Sequence, residues 1–390
     1  MSGRDPFCQP RRIRRGAALT LVFTSVLVAG AATGALPQGQ GKSAPDEARS
    51  AAAPLARHAE VARAAEEAMA DGKSPVEAAR RAVSRSGDRW AAVYSPGEYE
   101  EFEDTLDGRY TGVGLWAGSE RDGRVEVTKV RAGSPAADAG IRPGDLLRSV
   151  DGEKTDGRPV TEVVSLLRGD ATDAPAGTTV RLGLERAGRA WTETLRRARL
   201  STDPVTVRKL PGALTLIDVD TFTKDSGGQV RDAVRRAPRG AGVVLDLRGN
   251  SGGLVTEAVT AASAFLDAGL VATYDVEGEQ RALHAEPGGD TTRPLVALVD
   301  GGTMSAAELL TGALQDRGRA LVVGSRTFGK GSVQMPARLP DGSVAELTVG
   351  HYRTPSGRAV DGRGITPDLD ADEGALQRAE AVLRGLASPS

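Results

Sequence analysis

The sequence predicts a multidomain α/β protein with an inserted β-rich module and an N-terminal helical region. Three observations predict it. From about residue 205 onward, apolar runs alternate with helix-patterned stretches, as βα units require. Residues 106–197 change character, with period-2 alternation in Arg124-Val125-Glu126-Val127-Thr128-Lys129-Val130 and punctuation by Gly140, Pro143-Gly144 and Asp151-Gly152. Residues 58–86 are rich in Ala, Glu and Arg at helical spacing. A length of 390 residues fits two or three domains at a prior of roughly 150 residues each.

Taken in chain order, Arg11, Arg12, Arg14 and Arg15 precede an apolar run over residues 16–32. A basic cluster followed by an apolar run reads as a signal peptide or signal anchor, assigned to residues 1–36, cleaved or retained. It predicts an extracytoplasmic chain, secreted or anchored to the cytoplasmic membrane by this segment alone. Residues 37–57, rich in Ala, Pro, Gly, Ser and Gln, read as a linker. Two short helices follow within the helical region 58–105, broken at Asp71-Gly72 and restarted at Ser74-Pro75. In a core assigned to 198–375, strands fall near 213–219, 242–247, 295–300 and 320–324. Helices fall near 224–237, 254–267 and 305–317, and 376–390 is left as a tail.

Composition excludes several classes. A net charge of -2 gives no footprint for nucleic acid. The single cysteine, Cys8, lies before the apolar run, so no disulfide framework or thiolate site forms. His58, His284 and His351 show no metal-ligand spacing, so neither a metal nor another cofactor is expected. The stretch from Gly324 to Lys330 fits G-x-x-x-x-G-K, but Gly331 stands where a nucleotide loop needs Ser or Thr for magnesium.

The run Gly133-Ser134-Pro135-Ala136-Ala137-Asp138-Ala139-Gly140-Ile141-Arg142-Pro143-Gly144-Asp145-Leu146-Leu147 reads as a short helix entered at Ser134-Pro135 and closed by Gly140, then a turn into a strand. With Tyr110-Thr111-Gly112-Val113-Gly114-Leu115 upstream, it resembles the PDZ family over roughly 90 residues. Glycines such as Gly112 and Gly114 let backbone N–H groups face a carboxylate, and an open strand edge can accept an extended peptide. Val113 and Leu115 would line a pocket for an apolar terminal side chain.

Three further stretches carry chemistry: Val243-Val244-Leu245-Asp246-Leu247-Arg248-Gly249-Asn250-Ser251-Gly252-Gly253-Leu254, Gly301-Gly302-Thr303-Met304-Ser305-Ala306-Ala307-Glu308, and Gly324-Ser325-Arg326-Thr327-Phe328-Gly329-Lys330-Gly331-Ser332-Val333-Gln334. Ser305 stands where a helix begins after a strand, which suits a nucleophile and equally an N-cap. No histidine occupies a comparable Gly-rich strand end, whereas Lys330 does. Lysines number seven against 43 arginines, and an amine can give up its proton where a guanidinium cannot.

Together these stretches resemble the carboxyl-terminal processing (tail-specific) peptidase family, over about residues 60–370. Gly87-Asp88-Arg89-Trp90, Tyr94-Ser95-Pro96-Gly97-Glu98-Tyr99-Glu100-Glu101-Phe102 and Gly364-Ile365-Thr366-Pro367-Asp368 extend the resemblance. It implies a crotonase/Clp-like α/β superhelical core and a serine endopeptidase acting near substrate C-termini. It implies Ser305 as nucleophile, Lys330 as general base and Gln334 as the residue orienting that base. Gly252 and the Ala306 N–H would donate to the oxyanion, with Gly253, Glu308 and Asp316 in support and Arg168 sensing bound substrate. Partners would be proteins or peptides with apolar C-termini, a homo-oligomer or an adaptor being left open. Ser251, Met304 and an insertion over 170–176 depart from the family pattern. The rival reading is a non-catalytic PDZ scaffold of the cell envelope, and another is an esterase on the same core.

Overall fold

The computed structural model describes residues 45–119, 124–168, 174–276, 279–371 and 373–387. The expected export segment lies outside them, as do residues 170–173 of the insertion. Among the described residues no helix is long and apolar enough to cross a membrane.

The chain opens with α1 (Pro45–Ala70) and α2 (Pro75–Arg85), then β1 (Ala92–Tyr94) and α3 (Pro96–Leu106). The break between the helices falls where Asp71-Gly72 predicts it, and the Ser74 hydroxyl caps α2 by accepting from the Glu77 N–H. The expected linker over 37–57 is corrected: α1 is already helical from Pro45, and it is 26 residues long, not short. Ala48, Ala51, Ala52, Ala53 and Ala56 supply high helix propensity there. Entry to α3 is fixed by a reciprocal cap, with the Ser95 N–H donating to Glu98 Oε2 at 2.7 Å and the Glu98 N–H to Ser95 Oγ at 3.4 Å.

The β-rich module contains β2 (Arg109–Gly112), β3 (Leu115–Ser119), β4 (Val125–Val130), α4 (Pro135–Asp138), β5 (Leu146–Val150), β6 (Glu153–Lys154), α5 (Val160–Arg168), β7 (Thr179–Arg186), β8 (Arg189–Arg196) and β9 (Ala198–Ser201). Its sheet runs β3-β4-β5-β7-β8, leaving β3 at an edge. Inward residues Val125, Val127, Leu147, Val180, Leu182 and Leu184 make its own core. The chain enters and leaves through one antiparallel ribbon, β2 against β9, with Arg109 opposite Ser201 and Gly112 opposite Ala198.

The remaining elements form two sheets. They are β10 (Val205–Leu210), β11 (Leu214–Val219), α6 (Ser226–Arg236), β12 (Val243–Asp246), α7 (Val255–Ala262), β13 (Leu270–Val276), β14 (Glu279–His284), β15 (Leu295–Val299), α8 (Ala306–Asp316), β16 (Leu321–Gly324), β17 (Ser332–Arg338), β18 (Val344–Arg353), β19 (Leu369–Asp370) and α9 (Ala375–Ala387). The first sheet has the order β10-β11-β12-β15-β16-β19 and is parallel from β11 to β19. Its faces divide by strand alternation. Ile217, Val219, Leu245, Ala297 and Val299 pack with residues of α6, α7 and α8, and Leu216, Val244, Val296 and Leu298 pack on α9. The second sheet, β1-β18-β13-β14 with β17 on β18, is antiparallel and brings Val349 and Tyr352 of β18 into the cluster that α8 shares with the parallel sheet. The expected tail over 376–390 is also corrected, since Ala375, Ala379 and Leu383 recur every four residues and form the buried stripe of α9.

Candidate active site

Parallel strands β11, β12 and β15 end at one rim, where crevices in open α/β sheets form. Asn250, in the loop after β12, ties this rim together. Its Nδ2 donates to the Val219 carbonyl at 2.7 Å, and its own carbonyl accepts from the Met304 N–H at 2.8 Å. Thr303 Oγ1 donates to the Leu247 carbonyl at 2.8 Å. The loop after β12 thus fixes the loop after β15.

Ser305 sits at the entry to α8 with φ 55 and ψ -118, a disfavoured conformation for a residue with a Cβ. It is 1% exposed. Its N–H donates to Glu308 Oε2 at 2.9 Å, and its carbonyl accepts from the Tyr352 hydroxyl at 2.9 Å. Ala306 begins α8, so its N–H has no intrahelical partner and lies beside the nucleophile.

Lys330 is 0% exposed. Its backbone N–H donates to the same Glu308 Oε2, at 2.8 Å. The other oxygen of Glu308 accepts from the Gly329 N–H at 2.7 Å and from Thr327 Oγ1. One buried carboxylate therefore clamps the nucleophile loop to the lysine loop. Burial raises the Glu308 carboxyl above its ordinary value, and these four donors pull against that rise. Lys330 Nζ lies 5.1 Å from the Trp90 ring centroid. Burial lowers the lysine to about 8, while the charges of Glu346, Asp88 and Glu308 act in the opposite direction.

Several sequence expectations change here. Gln334 is buried on β17, but its Nε2 donates to Ser332 Oγ at 2.8 Å and Thr348 Oγ1 at 3.1 Å, and its Oε1 has no hydrogen-bond partner among the described residues. The expected hydrogen bond from Lys330 to that oxygen is not made; the two hydroxyls hold Nε2 and leave Oε1 open. Gly252, at φ 105, packs so closely that a Cβ there would lie 2.9 Å from Ser305 Cβ. Its N–H, expected to face an oxyanion, instead donates to Asn250 Oδ1 at 2.9 Å. Gly253 is held against Phe222, whose carbonyl a Cβ at Gly253 would meet at 2.3 Å. Asp316 does not support the site at all. It ends the 11-residue helix that Ser305 begins, and at 1.5 Å per residue the two lie about 16 Å apart along the axis. There it accepts from the Ser356 N–H at 2.9 Å and pairs with Arg358. Sequence reasoning also gave no role to Asp88, Trp90, Thr348, Tyr352 or Glu346. Asp88 accepts from the Thr348 N–H and hydroxyl, both at 2.9 Å, so it holds β18 beside Gln334.

In the module, Gly114 has φ 80, and a Cβ there would meet Ser134 Cβ at 2.3 Å. Its carbonyl accepts from the Arg131 N–H at 2.9 Å. Val113 is corrected from pocket lining to core: it is buried with Leu147 and Val150, and its carbonyl accepts from the Ala136 N–H at 2.9 Å. Gly112 is buried at the end of the β2 ribbon. Leu115 opens the edge strand β3, half-buried. Arg168 ends α5, exposed, its guanidinium 5.7 Å from the Tyr110 ring centroid.

Comparison with known proteins agrees with this organisation. The model of peptidase family S41 matches residues 213–371, and that of the PDZ domain matches residues 126–186. The chain is 34% identical over 310 residues to the chloroplastic carboxyl-terminal-processing peptidase 2 of Arabidopsis thaliana, covering 75% of this chain and 59% of that protein. It is 32% identical over 308 residues to the carboxy-terminal processing protease CtpA of Bacillus subtilis (strain 168), covering 77% and 65%. The chain thus spans only 59% to 65% of the length of these curated relatives. Among solved structures, the photosystem II D1 C-terminal processing protease superposes with a TM-score of 0.52 at 30% identity, covering 87% of this chain and 97% of that one. With a matching core, a PDZ domain in the same chain and near-complete coverage of that structure, the chain belongs to peptidase family S41.

Proposed function

We propose that the chain is an exported serine endopeptidase that cleaves proteins near their C-termini with a Ser305–Lys330 dyad, substrate tails being read by its PDZ domain. The observation that carries this reading is the shared clamp: Glu308 Oε2 accepts from both the Ser305 and the Lys330 N–H. Neutral Lys330 takes the Ser305 proton as Oγ attacks the scissile carbonyl. The Ala306 N–H, at the positive end of α8, supports the oxyanion. A second donor comes from the Gly252-Gly253 turn, the Gly252 N–H exchanging Asn250 Oδ1 for the oxyanion. The Lys330 ammonium then protonates the leaving amine, and the free amine later activates the water that hydrolyses the acyl-enzyme. Gln334 Oε1, without a hydrogen-bond partner among the described residues, is available to orient the lysine. Export is supported by the Arg11–Arg15 cluster ahead of the apolar run.

The test is digestion of an unstructured protein with an apolar C-terminus, followed by mass spectrometry. The parent should trim it, and Ser305→Ala should lose about 10³-fold or more in rate with its fold intact. Binding of the tail without cleavage by the parent would favour the scaffold, and undiminished cleavage by Ser305→Ala would remove the nucleophile.

A further inference from the structure

Glu346 lies on β18 opposite Ala92 of β1 and Pro336 of β17. Successive side chains of a strand alternate, so Glu346 and Thr348 share a face, and Thr348 is bonded to Gln334 and Asp88. The side chain is 0% exposed, and neither carboxylate oxygen has a hydrogen-bond partner among the described residues. An ionised carboxylate left so would carry a large desolvation cost, so the group must keep a proton or face a cation. The charge that acts on it is Lys330. From β1 and α3 it is faced by the phenols of Tyr94 and Tyr99, both neutral because burial, and next the Glu346 charge, raise them to about 12. Glu98, Glu103 and Arg338 act on those phenols, and Asp88 and Glu308 act on the lysine.

We infer that Glu346 is a positioning residue for the base, a buried carboxyl whose charge holds Lys330 as the ammonium and so sets the pH at which the lysine is free to accept the serine proton. This rests on the Ser305–Lys330 reading. In acid the pair carries an ammonium and a carboxylic acid. Loss of one proton leaves either ammonium with carboxylate or amine with carboxylic acid. Of these two only the second can act as base, and a carboxylate favours the first; loss of the second proton leaves an amine beside a carboxylate, which can act as base as well. Burial raises Glu346 to about 7, partly offset by Lys330, and the lysine stands at about 8, so with one proton between them the ammonium with carboxylate is favoured and the lysine is freed mainly as the second proton leaves. Through the reaction the Ser305 proton goes to the Lys330 amine and on to the leaving amine, and Glu346 neither gains nor loses one.

The test compares the full chain with Glu346→Gln. It measures, against pH, peptide kcat/KM and the rate at which a fluorophosphonate phosphonylates Ser305, with fluoride as the leaving group. With no carboxylate to hold the ammonium, the acid limb of both profiles should move down by half a pH unit or more. The variant should be about threefold faster than the parent at the foot of the limb, with the same alkaline plateau. Glu346→Met, which has no titratable group either, should move the limb in the same direction and serves if the amide variant does not fold. Superimposable profiles, or a uniform loss at every pH, would overturn the assignment. Lys330→Met is the control: loss of fluorophosphonate reactivity keeps the dyad in place, so that the Glu346 variants decide, whereas parent-like reactivity would overturn the dyad and this inference with it.

Discussion

At Lys330 a guanidinium would fit the charge and fail the chemistry. The lysine is lowered to about 8, so activity should rise with pH through that value as the ammonium loses its proton. Arginine stays protonated at any working pH. Lys330→Arg is therefore expected to be as inactive as Lys330→Ala, each down by about 10³-fold in kcat. Substantial activity in the arginine variant would assign the base to another group. The same pair predicts how stability varies with pH. Glu346 moves from an ordinary 4.5 up to about 7, so the folded state binds more protons than the unfolded chain between these values, and stability falls as pH rises through them. Lys330 moves from 10.5 down to about 8, so the unfolded chain binds more protons between these values, and stability rises through them. The result is a dip centred between pH 7 and 8, on the order of 3 kcal/mol at most. Urea unfolding across pH should show the dip in the parent and lose it in the Lys330→Met/Glu346→Gln double variant. A dip of equal depth in both proteins would place its origin elsewhere.

Between elements, Glu308 is the joint: a first-turn residue of α8 that accepts from the nucleophile loop on one side and the lysine loop on the other. An amide there keeps the shape but turns one acceptor into a donor facing backbone N–H groups. Glu308→Gln should cost about 2 kcal/mol of stability and lower kcat by about 10²-fold, KM changing less. Parent-like kcat in that variant would show that the clamp does not position the dyad. This joint also explains what the sequence could and could not announce. Ser305 and Lys330 stand in Gly-rich turns at strand ends, with Glu308 three residues on from Ser305, and such turns are visible as local composition. Thr348 and Glu346 reach the site on the antiparallel sheet, and Asp88 and Trp90 on the turn that leads into β1. The bond from the Thr348 N–H to Asp88 spans 260 positions of sequence, and no local pattern records a pairing so remote. Asp316, expected in support from the family resemblance, stands at the far end of α8 from Ser305. The βα alternation was legible because β12 and β15 are buried on both faces and read as apolar runs, broken only by Asp246 at the end of β12.

Across the whole molecule, the PDZ domain is joined to the core by the β2–β9 ribbon and by contacts beside it, including a Thr202 N–H to Gly108 carbonyl bond of 2.6 Å and an Arg131–Asp203 ion pair at 3.1 Å. Its open edge, β3, begins at Leu115 directly after the Val113-Gly114 turn, and α5 runs alongside with Arg168 at its end. The turn's carbonyls are already taken by the Ala136 and Arg131 N–H groups, which fixes its shape without drawing on its own donors. An extended tail added to β3 would gain main-chain hydrogen bonds along the edge and present its terminal carboxylate to that turn. Charge-assisted bonds of this kind are roughly twice as strong as neutral ones. Replacing the carboxylate by an amide should therefore lower kcat/KM about tenfold or more, chiefly through KM, while fluorophosphonate labelling of Ser305 stays unchanged. The measurement is cleavage of one peptide sequence in free-acid and amidated forms, by the parent and by Leu115→Lys, which sets a charge at the head of the edge strand. The variant should weaken the free acid and narrow the difference between the two peptides. Equal rates on both peptides with the parent would remove tail reading from this domain and leave the edge of β3 without that role.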